Sequence, residues 1–395
     1  MSTSSRFARL AGVLAALVGA AAAGDPLLQT STLQLQGFAA QSLITTSHNN
    51  YFGQTQHALG TGLTEAGING VWRPHDRLLV AGQVLYRRAG KSDQQGVRLD
   101  YLQAVWQFLQ TTDGGLELRA GKIKIPYGLY NETRDVPFTR PSILLPESVY
   151  FDTVRNFALA APGVGLNAHW HDRRGEWQAN LAAVRPGRLD AATEANFLNI
   201  DQPGHLESSA SYVAQLRWTS PDESTLAALS WVHASANYHP GPGDPLGPGK
   251  LLFSPWVLSL QKRLDTVTLT TEYARAHIRL WNFSQPIGVS VTTRAWYVQG
   301  AWRFRSRWEA LLRYDAIISP LKNNPLYALT GTPYYSRYAK DWTVGLRWDV
   351  TPSVMLRAEL HHVTGTAWLS RLDNPNPSAE ARVWNMALLQ ASWRF

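Results

Sequence analysis

Charged side chains of both signs are concentrated in one stretch, residues 126–162, among prolines and large apolar residues. Closely spaced fixed charges that belong to no catalytic motif can attract or exclude ions along a channel. They can equally pair with one another and hold the stretch against its surroundings. The charged residues of the stretch are Glu132, Arg134, Asp135, Arg140, Glu147, Asp152 and Arg155.

Arg134 and Arg140 are the strongest candidates for setting ion preference, because a nearby proline restricts the backbone around each of them. Glu132 and Asp135 are the expected counter-charges. A second set of arginines falls on one side of predicted strands, where it would line the wall of a channel and weakly favour anions. Acidic residues of the same strands can instead balance that set. The wall arginines are Arg303, Arg305, Arg313, Arg347 and Arg357.

Hydrolysis is the alternative chemistry, and it requires a nucleophile, a base and an orienting group held together. The histidines that suggest such a site lie in no diagnostic motif, and one pair provides at most half a metal site. The chain has no cysteine, which removes thiol chemistry. We therefore predict no catalytic residue, no metal and no cofactor. The sets considered are His361 with His362, His169 with His171, and His233 with Ser230.

The elements that carry these residues show strict alternation of apolar and polar side chains over segments of about ten residues, which is typical of membrane β-barrels. Trp342, Val344 and Leu346, for example, alternate with Thr343 and Arg347. The pattern predicts an all-β fold: a transmembrane antiparallel β-barrel of about sixteen strands. The predicted strands are 33–42, 63–72, 77–87, 97–109, 115–125, 163–171, 176–184, 211–219, 224–235, 252–262, 266–277, 291–304, 307–318, 340–350, 353–363 and 383–395.

Both chain ends support this class of protein. Residues 1–23 read as a secretory signal peptide, with a positive start, an apolar core and a small-residue cleavage site. The barrel is then expected over residues 24–395. Without Arg6 and Arg9 of the signal, the 37 basic residues become 35 against 29 acids, a net charge of +6. The last segment ends on Phe395, and we expect it to pair with the first strand and close the barrel.

Short and long connections alternate along the chain, and the third long one contains the charged stretch, residues 126–162. Its start, "RAGKIKIPYGLYNETRDVPFTRPSILLP", resembles the strand-into-loop segment of Gram-negative outer-membrane porins, both general and phosphate-selective, which are sixteen-stranded channels. The resemblance implies that the third long loop folds into the lumen and narrows it. It also implies a homotrimer and passive diffusion, and the terminal Phe395 is similar to the signal that the outer-membrane insertion machinery recognises.

The sequence thus predicts an outer-membrane porin rather than an enzyme, passing small hydrophilic or anionic solutes and surrounded by outer-membrane lipid. The alternatives are a barrel that acts as an adhesin or structural protein and, less well supported, a barrel hydrolase. A plugged receptor would need about 22 strands and a long N-terminal domain. Nucleic-acid binding is not expected, because no basic cluster with interleaved aromatic residues stands apart from the barrel pattern.

Overall fold

The computed structural model describes residues 27–93, 96–198, 203–284, 288–320 and 331–395. The predicted signal peptide, residues 1–23, lies outside this part of the chain. No helix among the described residues is long and apolar enough to cross a bilayer. The helices are α1 (Arg155–Leu159) and α2 (Ala191–Leu198), with short 3₁₀ turns at Pro137–Thr139, Asp152–Val154, Tyr334–Arg337 and Pro377–Ala379.

The described residues form eighteen strands, and sixteen of them are the long strands of one closed sheet. The two short ones, β1 and β9, pair at its margins. The strands are β1 (Leu28–Gln29), β2 (Leu33–Thr46), β3 (Leu63–His75), β4 (Leu78–Ala89), β5 (Val97–Gln110), β6 (Gly114–Lys124), β7 (Ala160–Asp172), β8 (Gly175–Val184), β9 (His205–Ser208), β10 (Ser211–Thr219), β11 (Thr225–His239), β12 (Gly249–Leu264), β13 (Val267–Trp281), β14 (Val289–Arg305), β15 (Trp308–Ile318), β16 (Tyr338–Asp349), β17 (Val354–Gly365) and β18 (Val383–Arg394).

Each long strand pairs antiparallel with the next, and the ring closes where β18 pairs with β2 in the register Met386↔Thr46 to Arg394↔Phe38. Closure leaves no strand edge, so the backbone groups that would face lipid are hydrogen-bonded within the sheet. The predicted sixteen-stranded antiparallel barrel is confirmed, and each predicted strand overlaps an observed one. At one end, here called the short-turn end, neighbouring strands join through tight turns; the opposite end is the long-loop end.

Side chains on the two faces of the sheet have opposite character. On β16, Trp342 and Val344 are more than half exposed, whereas Asp341 and Thr343, which alternate with them, are buried. The same alternation recurs around the ring, because successive side chains of a strand point to opposite faces. We call the two surfaces the apolar face, which carries the exposed Leu, Val and Trp residues, and the polar face. This distribution is the inverse of a water-soluble protein and fits a barrel surrounded by hydrocarbon.

The last residue is fixed by backbone pairing. Phe395 N donates to Gly37 O at 2.9 Å, and Gly37 N donates to Phe395 O at 2.7 Å. The Phe395 ring lies over Gly37, where a side chain would collide with it, and its centroid is 4.3 Å from that of the Trp393 ring. The terminal aromatic residue is therefore part of the seam that closes the barrel.

An arginine on the apolar face should weaken folding in lipid. Leu360 lies in the middle of β17, is 64% exposed, and pairs with Val344 of β16. We expect Leu360→Arg to lower the free energy of unfolding in lipid vesicles by about 2–4 kcal/mol, the usual cost of a cation near the bilayer midplane. Denaturant titration measures this, with Gln261→Arg on the polar face as control. Equal losses for both variants would contradict the assignment of the two faces.

Candidate functional site

The connection between β6 and β7, residues 125–159, contains the charged residues of the predicted constriction. We call it the β6–β7 segment. Its four prolines prevent it from forming a long helix: Pro126, Pro137, Pro141 and Pro146. Gly128 turns the chain with φ 59°, at a point where a side chain would collide with the Tyr150 hydroxyl. Most of the segment is buried, and its polar groups bond to polar-face residues of several strands, among them β3, β11, β13, β15 and β17.

A bidentate ion pair ties the segment to β3. Arg140 donates to both carboxylate oxygens of Glu65, at 3.1 and 2.6 Å, and both side chains are buried. Arg87 of β4 extends this cluster, since its guanidinium lies 3.4 Å from Glu65, 2.9 Å from Asp93 and 2.7 Å from Asp152. Planar guanidinium groups match carboxylates in this two-point geometry, so the pair fixes orientation as well as distance.

On β15 and β17, arginines of the barrel also bond to the segment. Arg357 of β17 donates to Pro137 O at 2.9 Å, Ser142 O at 3.2 Å and Arg140 O at 2.5 Å. Arg313 of β15 donates to the Ser142 hydroxyl at 2.9 Å and to Leu144 O at 3.1 Å. These acceptors are neutral, so the hydrogen bonds position the segment. The charge of Arg313 also interacts with Asp315 and Asp341, and that of Arg357 with Glu359.

Carboxylates of the barrel accept hydrogen bonds from backbone N–H groups of the segment. Glu359 of β17 accepts from Ile143 N and, at 3.4 Å, from Leu144 N. Glu272 of β13 accepts from Leu129 N at 3.0 Å and from the Tyr150 hydroxyl at 2.6 Å. Hydroxyl groups of neighbouring strands complete the shell of Glu272, which leaves this buried carboxylate well bonded.

A second ion cluster lies where the segment leaves β6. Asp135 bonds to Arg155 and to Lys124, and Lys124 also lies 3.1 Å from Asp100. Arg155 approaches Asp93 at 3.6 Å, which links this cluster to the one around Arg87. The network runs without interruption from β3 to β6 through the segment.

The predicted constriction residues separate into two groups. Arg134, Asp135, Arg140, Glu147 and Arg155 are buried and bonded within the segment or to the barrel. Glu132 differs: its side chain is 41% exposed and lies 3.5 Å from Arg119 of β6. The buried residues hold the segment in place, whereas the Glu132 side chain is open to solvent.

The five predicted wall arginines also separate. Arg313 and Arg357 bond to the segment, as described above. Arg303 lies 2.9 Å from Glu309 and 3.2 Å from Asp349, and Arg347 lies 2.8 Å from Asp349. Arg305 is exposed at the short-turn end. Three of the five therefore occupy a salt-bridge cluster or the rim rather than the level of the segment.

The sequence predicted Arg313 and Arg357 but not the other barrel residues that bond to the segment. Glu65, Arg87, Lys124 and Glu272 have polar-face parity on their strands, and that parity was the available signal. Their partners could not be identified from it, because Glu272 and Leu129 are 143 residues apart in the chain.

The residues considered for hydrolysis are not assembled into a site. The Ser230 hydroxyl bonds to Gln215 and to Gly128 N, whereas His233 lies beside Trp231 at a ring distance of 6.0 Å. His361 is buried between Asp341 and Glu359, at 2.7 and 3.4 Å. Among the residues that the structure describes, no group of three or more potential ligands is placed to hold a metal ion.

A scan against family models finds no match, and neither does a search of curated proteins. Solved structures do match. Among them are the OmpT outer-membrane protein of Vibrio cholerae in its trimer form (12% identity, 92% of this chain, 99% of that chain, TM-score 0.56) and the outer-membrane channel DcaP of Acinetobacter baumannii (11%, 94%, 99%, 0.58). An anion-selective porin from Comamonas acidovorans matches at 11% identity, over 92% of this chain and 99% of that chain, with a TM-score of 0.56.

The chain has the porin fold. The match extends over almost the full length of each of these neighbours, so the sixteen-stranded porin barrel accounts for nearly all of the described chain. At this level of identity the likeness establishes the fold and no individual residue. Within this porin fold, the β6–β7 segment and its bonds to the barrel are therefore characterised from the chain's own geometry.

Breaking the ion pair between Arg140 and Glu65 should destabilise the porin fold strongly. We expect Arg140→Met to lower the free energy of unfolding by about 3 kcal/mol, because it leaves a buried carboxylate partly unpaired. The double variant Glu65→Gln/Arg140→Met should lose less than the sum of the single variants. Arg185→Met, which removes an exposed pair with Glu207, is the control and should cost less than about 1 kcal/mol. Strict additivity in denaturant titrations would contradict the coupling.

The Glu147 carboxyl should make stability depend on pH. Burial, together with the nearby Asp152 carboxylate, raises the pKa of Glu147 to about 8. An acid whose pKa is higher in the folded than in the unfolded protein contributes stability at pH values below its unfolded-state pKa. That contribution is lost as the pH rises through its folded-state pKa. We expect the urea concentration at the unfolding midpoint to decrease as the pH rises from about 5 to about 9. Glu147→Gln should make that decrease smaller. The exposed Glu223→Gln is the control; a Glu147→Gln profile parallel to wild type would contradict the interpretation.

Proposed function

We propose that the protein is a porin of the Gram-negative outer membrane, through which small hydrophilic solutes diffuse passively. The observation that carries the proposal is the closed sixteen-stranded barrel with its apolar face outward. A barrel of this size encloses more volume than wall side chains fill, and the excess is available for an aqueous path. The porin fold of the structural neighbours supports the same function.

The β6–β7 segment is proposed to cross the interior and to narrow the path. Its support is the distribution of its bonds, which reach Glu65 on β3, Ser230 on β11, Glu272 on β13, Arg313 on β15 and Arg357 on β17. These strands are spaced around the ring, so a segment that touches all of them passes through its middle. Fixed charges beside such a constriction act on ions more strongly than charges in open water.

Weak anion preference is proposed for the same constriction. The guanidinium groups of Arg313 and Arg357 bond to neutral oxygens of the segment and form no salt bridge among the described residues, so nearby carboxylates offset their charge only in part. The mature chain is also net positive, and one structural neighbour is described as anion-selective. Glu132, the exposed acid of the segment, opposes this preference, which is why we expect it to be weak.

Assembly and export are proposed on coarser grounds. A homotrimer embedded in outer-membrane lipid is in keeping with the trimer form of the Vibrio OmpT neighbour. Export through a cleaved signal peptide follows from residues 1–23. Recognition of Phe395 by the insertion machinery is proposed from its place at the end of the closing strand.

Single-channel recording tests the pore. Refolded protein in a planar bilayer under a salt gradient should give stepwise conductance with a reversal potential of weakly anion-selective sign. Cation selectivity would overturn the anion preference and leave the pore. Absence of conductance from correctly folded protein would overturn the pore itself and favour a barrel that serves as an adhesin or structural protein.

Charge changes at the exposed pair should shift selectivity in opposite directions. We expect Glu132→Gln to raise the anion-to-cation permeability ratio and Arg119→Gln to lower it, each by about twofold, because a single screened charge contributes only about 0.5 kcal/mol. Asp265→Asn makes the same charge change at an exposed turn of the short-turn end and should leave the reversal potential unchanged. Shifts of the same sign for both variants would contradict a path beside this pair.

A further inference from the structure

One patch of the polar face carries apolar side chains. Toward the long-loop end of the strands from β8 to β15, positions with polar-face parity carry Val, Ile, Phe and Ala instead of hydrogen-bonding residues. A wall that only guided hydrated solutes would need no such patch, since water and ions are attracted to polar groups. The positions include Val184, Val213, Phe253, Ala274, Ala295 and Ile317, which are buried or half-buried.

The β6–β7 segment and α2 cover this patch. Val154 and Phe157 of the segment and Phe197 of α2 are buried against the same wall and complete a cavity of about 110 Å³, which we call the apolar chamber. Phe197 and Phe253 meet edge to face with ring centroids 5.5 Å apart. The chamber is therefore lined mainly by aromatic rings, branched aliphatic side chains and alanines, with a minority of hydroxyl and amide groups such as Ser148, Thr293 and Asn131.

Charge is almost excluded from the apolar chamber. Among the described residues that line it, Arg134 is the one charged side chain, and its guanidinium donates to Tyr150 O at 2.9 Å and lies 3.7 Å from Asp152. An ion that entered would lose its hydration without gaining a free partner, which is costly. A neutral apolar molecule would lose only its unfavourable contact with water.

The volume of the apolar chamber depends on two alanines. Ala274 of β13 and Ala295 of β14 are opposite each other in the strand register and both line the chamber. A larger side chain at either position would project into the cavity. Their small size keeps open a space close to that of the engineered cavity of about 150 Å³, lined by Leu, Ile and Phe, that binds benzene in another protein.

We propose that the apolar chamber is a binding site for a small, uncharged, single-ring aromatic molecule. The cavity volume limits the ligand to about one ring, and the aromatic lining favours edge-to-face and stacked contacts with it. This site goes beyond passive diffusion of hydrophilic solutes. It depends on the chamber and not on whether the barrel conducts ions.

The test uses 4-fluorobenzyl alcohol as the probe and the full chain refolded in lipid nanodiscs. Fluorine NMR line broadening is measured against protein-free nanodiscs, which report partition into lipid alone. We expect saturable broadening that excess unlabelled benzyl alcohol reverses. 4-Fluorobenzoate, which carries a carboxylate at neutral pH, should bind at least about tenfold more weakly. Absence of saturable binding, or equal affinity for the two probes, would overturn the proposal.

A filled chamber is the decisive variant. Ala295→Phe should weaken probe binding by at least about tenfold by occupying the cavity. Ala387→Phe makes the same change on the apolar face of β18 and should bind like wild type. Should Ala295→Phe fail to fold, Ala274→Leu, a smaller addition at the facing position, replaces it. Undiminished binding in a folded chamber variant would overturn the assignment of the site.

Conductance of the same preparations separates this inference from the proposed pore. Conducting protein that binds no probe would overturn the chamber site while the pore stands. Protein that binds the probe but does not conduct would support the site and overturn the pore.

Discussion

The pairing of β18 with β2 is the constraint on which the rest of the structure depends. In hydrocarbon an unpaired strand edge leaves N–H and C=O groups without partners, at several kcal/mol each by the usual order of magnitude. Closing the sheet removes both edges at once. Closure also fixes which side chains face outward, since parity on one strand determines parity on its neighbour through the register. Alternation along the chain and closure of the ring are therefore two expressions of one requirement.

The polar face follows a different rule, because many of its side chains bond to the charged and hydrogen-bonded β6–β7 segment. Arg140 with Glu65, and Asp135 with Arg155 and Lys124, place ions where desolvation is expensive unless each finds a partner. Barrel arginines that donate hydrogen bonds to backbone carbonyls fix the position of the segment more closely than a pair of mobile surface charges would. The segment is thus held by many directed bonds.

The strands were predictable from sequence and the interior was not, for a physical reason. A repeat of two residues is a local property, so Trp342 and Thr343 reveal their faces without knowledge of the rest of the chain. The partners of Arg140 depend on which distant strand the segment reaches, and Glu65 lies 75 residues away. The apolar chamber was missed because the interior was assumed to be polar throughout. Ala274, Ile278 and Leu280 on alternate positions of β13 were the visible signal.

Joining the first long strand to the last has a consequence for the order of events during synthesis and export. Ser42 and Gln390, whose side chains bond across the seam at 3.0 Å, are separated by 348 residues, so the contact cannot form until almost the entire chain has been made. An N-terminal half has no partner for its first strand and exposes a pairing-competent edge. Such long-range contacts also make folding slow. The ring can therefore close only late in folding, after β18 has been made.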